Sequence, residues 1–266
     1  MSFKIGWFST GRDKEARTLL EKTCRAIEEG RLGDLRISYV FSNRERGEKE
    51  ESDRFIELVE RIGIPLICFS SEKFNPELRK KALKEKSSDL INHWRLLYDR
   101  EIMKRIEKYP VRIAFLAGYM LILGSELCRS LPLFNLHPAA PGGPRGTWQE
   151  VIWQLIRERA GESGIMIHRV TPELDAGPTV TYCTFSLRGA GFDPLWRKME
   201  EKLRTRKLGQ IQREEGEGEP LFLAIREEQK KRELPLILAT LGLFARGEIN
   251  PEEIKSPLYV DLRKLK

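Results

Sequence analysis

The chain has 266 residues, 40% of them apolar and 33% charged, which is enough apolar material for a sizeable core and excludes a low-hydrophobicity disordered polymer. Its 47 basic and 40 acidic residues give a net charge of +7, but the two signs interleave, which favours solvated surfaces over a nucleic-acid-binding stripe. Because no apolar run approaches the length of a membrane helix and residues 1–10 lack a signal-peptide pattern, we expect a cytoplasmic protein.

The first half alternates short β-rich runs with charged amphipathic stretches, a pattern typical of an α/β fold with a mainly parallel sheet flanked by helices. The predicted strands cover residues 3–8, 36–41, 64–69 and 111–116. The predicted helices cover residues 14–29, a charged stretch that Gly63 ends, and residues 76–108 with a break near Ser87. After the fourth strand, Ala117 and Gly118 form a turn into the apolar segment 119–123.

The second half begins with a short predicted strand at Leu133 to His137 and a loop at residues 138–146 that holds three prolines and three glycines. A helix is predicted for residues 147–159, and two β-like runs for residues 165–170 and 179–187. Two helical stretches, a Gly/Glu loop at residues 214–219 and an extension over residues 247–266 complete the chain.

Asn135 and His137 lie two residues apart at the end of a predicted strand, so their side chains project from the same face. An amide and an imidazole placed together suit an oxyanion, because each donates a hydrogen bond to the developing charge. A loop-anchoring asparagine and a half-buried histidine fit the spacing equally well. The other two histidines are predicted to be structural, with His93 solvated and His168 packed.

Asp175 lies in the segment PELDAGP, between two β-like runs. A carboxylate near His137 would stabilise its protonated form and accept or relay a proton, although such a segment is more often a simple turn. No metal is expected, because the four cysteines are far apart and form no CxxC pair.

The loop from Ser9 to Asp13 follows the first strand and precedes a helix, a geometry that places backbone N–H groups where an anion binds. It lacks the glycine-rich phosphate motifs, and an ordinary turn capped by Asp13 explains it as well. Residues 120–123 offer an apolar wall that equally fits a place in the core.

Three segments in this order resemble the folate-dependent formyltransferases: FLAGYMLIL, LFNLHPAAPGGPRG and GIMIHRVTPELDAGP. The resemblance runs from about Lys4 to Leu187 and is strongest to the branch that formylates glycinamide ribonucleotide in purine biosynthesis. It implies a Rossmann-like catalytic domain over residues 1–190, with a C-terminal helical extension over residues 191–266 packed on it.

The resemblance also implies the formyl donor 10-formyltetrahydrofolate, no metal, and a catalytic trio of Asn135, His137 and Asp175. The residues implied to wall the donor's ring lie in two segments. They are Met120, Leu121, Ile122 and Leu123, and Val170, Thr171, Glu173 and Leu174. Leu121 departs from the arginine common in the purine branch.

The acceptor side departs further from the family. In the family the acceptor's phosphate binds on a Ser-Gly-x-Gly-Ser-Asn loop, and this chain has Ser9-Thr10-Gly11-Arg12-Asp13-Lys14 in its place. The positions of the family's glutamine and glutamate, which bind the ribose hydroxyls, correspond to Glu227 and Lys230. The implied acceptor is a small phosphate-bearing amine. Its phosphate is expected at Thr10, Gly11, Arg12 and Arg95, with cations substituting for a backbone nest.

Several functions stay open at this point. The acceptor is glycinamide ribonucleotide, or another amine such as an amino sugar nucleotide or an aminoacyl-tRNA, or water in a hydrolase. A folate- or nucleotide-binding regulatory protein without turnover is the alternative of another class, although a binder has no use for an oxyanion site. The sequence leaves the oligomeric state open.

Overall fold

A computed structural model describes residues 2–262, in which helices and strands alternate along the first half of the chain. The elements of that half are β1 (Phe3–Ser9), α1 (Lys14–Glu28), β2 (Leu35–Ser42), α2 (Glu50–Ile62), β3 (Leu66–Cys68), α3 (Pro76–Glu85), α4 (Ser88–Ile106), β4 (Ile113–Leu116), α5 (Ser125–Ser130) and β5 (Leu133–His137). The later elements are α6 (Trp148–Arg157), β6 (Glu162–Arg169), β7 (Thr179–Ser186), α7 (Asp193–Leu203), α8 (Leu208–Glu214), a 3₁₀ turn (Gly216–Gly218), α9 (Pro220–Ala245) and β8 (Leu258–Tyr259).

The described chain divides into two compact units, each assembled from separate stretches of sequence. The first comprises residues 2–135, 169–177 and 241–254, and the second comprises residues 136–168, 178–240 and 255–262. Of the predicted C-terminal extension, residues 263–266 lie outside the described part. The division into a catalytic domain over residues 1–190 and an extension over residues 191–266 stays a prediction.

The first unit contains a parallel sheet in the order β3-β2-β1-β4-β5. Its register places Phe8 beside Leu116 and Leu116 beside Asn135. The predicted parallel α/β fold is therefore confirmed. Strand β3 is shorter than expected, with three residues, and the predicted helical break at Ser87 is present, because its hydroxyl caps α4 at the Leu90 N–H.

One face of this sheet is covered by α4 and α5, whose apolar side chains share a core with the strands. Aromatic rings make up much of it: Trp94 and Tyr98 stack with their centroids 5.0 Å apart, and Phe8 and Phe41 pack at 4.9 Å. Large buried rings contribute both area and preferred stacking geometry. This core supports the strand ends from which the loops of the candidate site emerge.

The second unit contains β6 and β7 as an antiparallel pair, with β8 parallel to β7. Its core joins α6 to α7, α8 and the first turns of α9, around residues such as Trp153, Trp196 and Phe222. Helix α6 begins with a capping box, in which Thr147 and Glu150 exchange hydrogen bonds. Among residues 2–262, no helix combines the length and apolar character needed to cross a membrane.

Candidate functional site

The carboxyl edge of the parallel sheet in the first unit gathers buried polar side chains. Ser9 and Thr10 follow β1, Ser42 and Asn43 follow β2, and all four are buried. Half-buried Asn135 lies on the last strand, level with the end of β4. In open parallel α/β sheets ligands bind outside the carboxyl ends of the strands, so this edge is the expected location of a site.

Thr10 connects three segments of this edge. Its hydroxyl donates to Asn43 Oδ1 at 2.8 Å and accepts from the N–H of Met120 at 2.8 Å, while Asn43 Nδ2 donates to Ser71 Oγ at 3.3 Å. Thr10 was predicted to meet a phosphate, and in this structure its hydroxyl is engaged with protein groups. The hydroxyl thus orders the edge on which it lies.

The loop after β1 ends in a capped helix. Gly11 has φ +62°, and a Cβ there would lie 2.6 Å from that of Phe55, so the position requires glycine. Asp13 caps α1 by accepting from the Ala16 N–H at 2.9 Å, and its other oxygen lies 3.2 Å from Arg12 Nε. A carboxylate of the chain itself therefore lies at this helix N-terminus.

Arg95, the fourth residue predicted to meet a phosphate, lies half-buried on α4. Its Nη1 donates to Asn92 Oδ1 at 3.2 Å. Burial lowers the pKa of Arg95, and the charge of Asp99 acts in the opposite direction. Arg95 remains a cation under physiological conditions, because an arginine loses its proton only at very high pH.

The segment predicted to wall the donor, residues 120–123, alternates between core and solvent. Leu123 is buried and Leu121 packs on the same core, whereas Met120 is 44% exposed. Asp99 holds the chain that follows, accepting from the N–H groups of Gly124 and Leu127 at 3.1 Å each. The segment thus presents an apolar side chain to solvent from an anchored backbone.

The second predicted wall, residues 170–174, belongs to the same unit. The N–H of Val170 donates to the carbonyl of Leu133 at 2.7 Å, and its side chain packs on the same core as Leu121. The Thr171 hydroxyl donates to the carbonyl of Glu173 at 2.9 Å, and Leu174 is 47% exposed. Both predicted walls therefore rest on one core and each exposes one apolar side chain.

Asp175 occupies a strained position in this loop. It has φ +48°, in the left-handed region that a carboxylate side chain tolerates better than most. A Cβ on Gly177 would lie 1.8 Å from the carbonyl oxygen of Arg169, so only glycine fits there. Non-glycine residues in this conformation cluster at functional sites, where the surroundings over-determine them.

The segment that precedes this loop is anchored to the C-terminal extension. Arg169 Nη1 donates to the carbonyl of Pro251 at 2.9 Å, and its Nη2 lies 3.9 Å from the carboxylate of Glu252. The sequence predicted an extension over residues 247–266 without indicating its role. Its residues 251 and 252 hold the last residue of β6, next to the predicted donor wall.

His137 lies in the second unit and is buried. Its Nε2 lies 2.8 Å from the carbonyl oxygen of Pro144, and its ring meets that of His168 edge-on at 6.1 Å. Because a carbonyl only accepts, Nε2 carries a proton and Nδ1 donates only when the ring is protonated. As predicted, His168 is buried and His93 is exposed on α4.

The loop after His137 is held from α9 by a residue that sequence reasoning missed. Buried Gln229 donates from Nε2 to the carbonyl of Pro138 at 2.8 Å, 91 residues away in sequence. Glu227 and Lys230, the positions indicated by the family register, pair with each other at 3.1 Å. The resemblance to the family was the available signal, and it indicated the positions on either side of Gln229 without selecting it.

Comparisons with known proteins identify the family. The sequence profile of the formyl transferases matches residues 20–184, which is more than half of the chain. This chain belongs to the formyl transferase family. Within the residues that the structure describes, no three His, Cys, Asp or Glu side chains cluster in a way that could hold a metal ion.

The formyl transferase resembles a curated relative and solved structures. A phosphoribosylglycinamide formyltransferase of Dictyostelium discoideum is 28% identical over 190 residues, covering 68% of this chain and 82% of the relative. Glycinamide ribonucleotide transformylase 1 of Geobacillus kaustophilus gives a TM-score of 0.62 at 20% identity, covering 92% of this chain and all of the other.

A formyltetrahydrofolate deformylase of Burkholderia mallei gives a TM-score of 0.59 at 16% identity, covering 96% of this chain and 69% of that one. The fold of a formyl transferase is therefore shared by proteins named for transfer and for deformylation.

The stability of this formyl transferase should depend on the protonation of Asp99. Burial raises its pKa above the ordinary value, against the effect of the Leu127 and Gly124 N–H groups. The folded chain therefore binds this proton more tightly, and stability is lost as pH rises from about 3.9 through the raised value. As pH rises through this range, the free energy of unfolding of the wild type, measured relative to that of Asp99→Asn, should fall. The fall should be about 1.4 kcal/mol for each pH unit by which the pKa of Asp99 is raised.

Urea unfolding of both chains across this pH range measures the difference. Asp89→Asn, which removes an exposed carboxyl from the first turn of the same helix, is the control and should leave the shape of the wild-type pH curve unchanged. Parallel curves for wild type and Asp99→Asn would contradict the assignment.

Proposed function

We propose that this formyl transferase moves the formyl group of 10-formyltetrahydrofolate to the primary amine of glycinamide ribonucleotide, in purine biosynthesis. The observation that carries the proposal is an asparagine and a histidine two residues apart on β5, which ends at the ligand-binding edge of a formyl transferase sheet. The relative from Dictyostelium discoideum, matched over 82% of its length, supports this acceptor.

In this proposal the donor binds along the two predicted walls. A folate ring is flat, with apolar faces and polar edges. Met120 and Leu174, exposed by 44% and 47%, supply apolar contact to the faces, and the backbone groups of residues 120–123 and 170–174 supply hydrogen bonds to the edges. An apolar wall with a few fixed polar groups is the usual composition of such a pocket.

In the proposed reaction the amine nitrogen attacks the formyl carbon, and the carbonyl oxygen takes the electron pair. Asn135 donates to this oxygen from Nδ2, and His137 donates a second hydrogen bond. Collapse of the tetrahedral species breaks the bond to N10 of tetrahydrofolate, which leaves with a proton while the attacking nitrogen loses one. Asp175 carries that proton through water.

The proposed mechanism uses His137 as the imidazolium. Its Nε2 carries a proton because the carbonyl of Pro144 only accepts, and the imidazolium has a second N–H. In the proposed mechanism Asp175 stabilises this cation by its negative charge. The histidine thus acts as a charged donor, which strengthens the hydrogen bond to the oxyanion.

For the acceptor we propose that its phosphate meets the loop of Thr10, Gly11 and Arg12, with Arg95 as a second cation. A guanidinium binds phosphate by charge and by paired N–H groups, so it substitutes for a glycine-rich backbone nest. Asp13, which pairs with Arg12 at 3.2 Å, opposes this binding.

A cytoplasmic location of this protein remains a prediction, as does the division into two domains at residue 190.

A donor-consumption assay tests the proposed function. The protein is incubated with 10-formyltetrahydrofolate alone and with glycinamide ribonucleotide, an amino sugar nucleotide or an aminoacyl-tRNA, while tetrahydrofolate, formate and formylated amine are measured. We expect tetrahydrofolate to form only with glycinamide ribonucleotide. Formate release in water would establish a hydrolase, and folate binding without turnover would establish a binder.

Alanine variants test the catalytic trio. Asn135→Ala, His137→Ala and Asp175→Ala should each lower kcat at least ~100-fold, as expected when an oxyanion donor or a proton-transfer group is lost. His93→Ala, which removes an exposed imidazole from α4, is the matched control and should retain wild-type turnover. A near-normal kcat in any trio variant removes that residue from the mechanism.

Asp13→Asn tests the acceptor loop. Asparagine preserves the helix cap, removes the negative charge and releases Arg12, so KM for glycinamide ribonucleotide should fall by about 3- to 10-fold at low salt. Asp89→Asn, which removes the same charge from the first turn of α4, is the control. An unchanged KM in Asp13→Asn would place the acceptor's phosphate elsewhere.

A further inference from the structure

The hydroxyl of Thr10 forms part of a directional hydrogen-bond chain. Its one proton goes to Asn43 Oδ1 at 2.8 Å, and its oxygen accepts the Met120 N–H at 2.8 Å. The amide of Asn43 then donates to Ser71 Oγ at 3.3 Å. Because a hydroxyl has a single proton, the contact with Asn43 fixes its orientation and leaves a lone pair for Met120.

The surroundings hold Thr10 rigidly. Its N–H donates to the carbonyl of Gly118 at 3.1 Å, and its carbonyl accepts from the Ser52 hydroxyl at 3.1 Å. Thr10, Asn43 and Ser52 are all buried. In a region of low dielectric, satisfied polar contacts are strengthened, and the loss of one partner leaves a costly unpaired group.

The side chain of Thr10 connects two segments that lie 110 residues apart in the sequence. Here the hydroxyl joins the loop after β1 to the backbone of Met120, just beyond Gly118 with φ +68°. The Met120 residue is 44% exposed, so the contact of its amide with Thr10 is the main restraint on its backbone.

From these contacts we infer that Thr10 is a positioning residue, which sets the backbone of Met120 for donor binding and couples it to the acceptor loop at residues 9–13. The inference rests on the proposed function, in which residues 120–123 contact the folate. Without the hydroxyl, the N–H of Met120 loses its acceptor and the start of this segment becomes free to move. Donor affinity then falls while the reacting groups stay intact.

Thr10→Val tests the inference, because valine has the shape of threonine and lacks its hydroxyl. Hydrogen exchange at the Met120 amide should accelerate at least ~10-fold, because its N–H loses its acceptor. Kd for tetrahydrofolate and KM for 10-formyltetrahydrofolate should rise about 5- to 100-fold, the range expected when a partly buried N–H is left unpaired. The fold-change in donor affinity should exceed the fold-change in kcat measured at saturating donor and acceptor. Thr10→Ser keeps the hydroxyl and should restore exchange and affinity.

Thr23→Val is the matched control. Thr23 is buried in α1, and its hydroxyl donates to the carbonyl of Leu19 at 2.7 Å within the same helix. The change removes an equivalent buried hydroxyl and should leave exchange at Met120 and KM for the donor unchanged. If Thr10→Val does not fold, Thr10→Cys replaces it, and its sulfur, a weaker acceptor than the hydroxyl, should give intermediate exchange and affinity.

The outcomes separate the two proposals. Faster exchange at Met120 with unchanged tetrahydrofolate affinity would overturn the positioning role, and so would a loss confined to kcat. Equal effects of Thr10→Val and Thr23→Val would also overturn it. If wild type transfers no formyl group, the proposed function fails, yet exchange and tetrahydrofolate binding still decide the role of Thr10.

Discussion

Because β1, β4 and β5 run parallel and in register, the chain leaves all three strands at one edge of the first unit. Phe8, Leu116 and Asn135 lie level with one another. The segments that follow β1 and β4 therefore begin close together, and their buried polar groups bond with each other. The contacts of Thr10 with Gly118 and Met120 are the result.

Local signals in the sequence were enough to predict much of this fold. Alternation of β-rich and charged stretches predicted the parallel sheet, and Asn135 and His137 were found because a two-residue spacing on a strand has a fixed geometric meaning. The six-residue helix α5 and the two-residue strand β8 escaped prediction. Helix α5 is fixed by Asp99, and β8 is defined by its pairing with β7, so both depend on distant partners.

The same limit applies to the candidate site. Gln229 and Asp99 act through hydrogen bonds to backbone groups 91 and 25 residues away, and neither leaves a periodic or spacing signal. Thr10 was predicted for a phosphate, since a strand-to-helix loop suggests anion binding. Its hydroxyl contacts Asn43 and Met120, because the neighbouring loops approach closely, and the phosphate contact stays a prediction.

The donor and acceptor sides of the site depend on the sequence in different ways. The predicted donor walls combine backbone groups with apolar side chains, and many residues satisfy those requirements, so Leu121 is compatible with them. In the proposed function the acceptor loop binds phosphate through charge, and a single substitution changes the charge of that loop. Arg12 and Asp13 place opposite charges 3.2 Å apart at the helix N-terminus, so their mutual pairing competes with any bound anion. Under the proposed function, the pairing of Arg12 with Asp13 therefore tunes the affinity for the acceptor's phosphate, whereas transferases and deformylases share the fold itself.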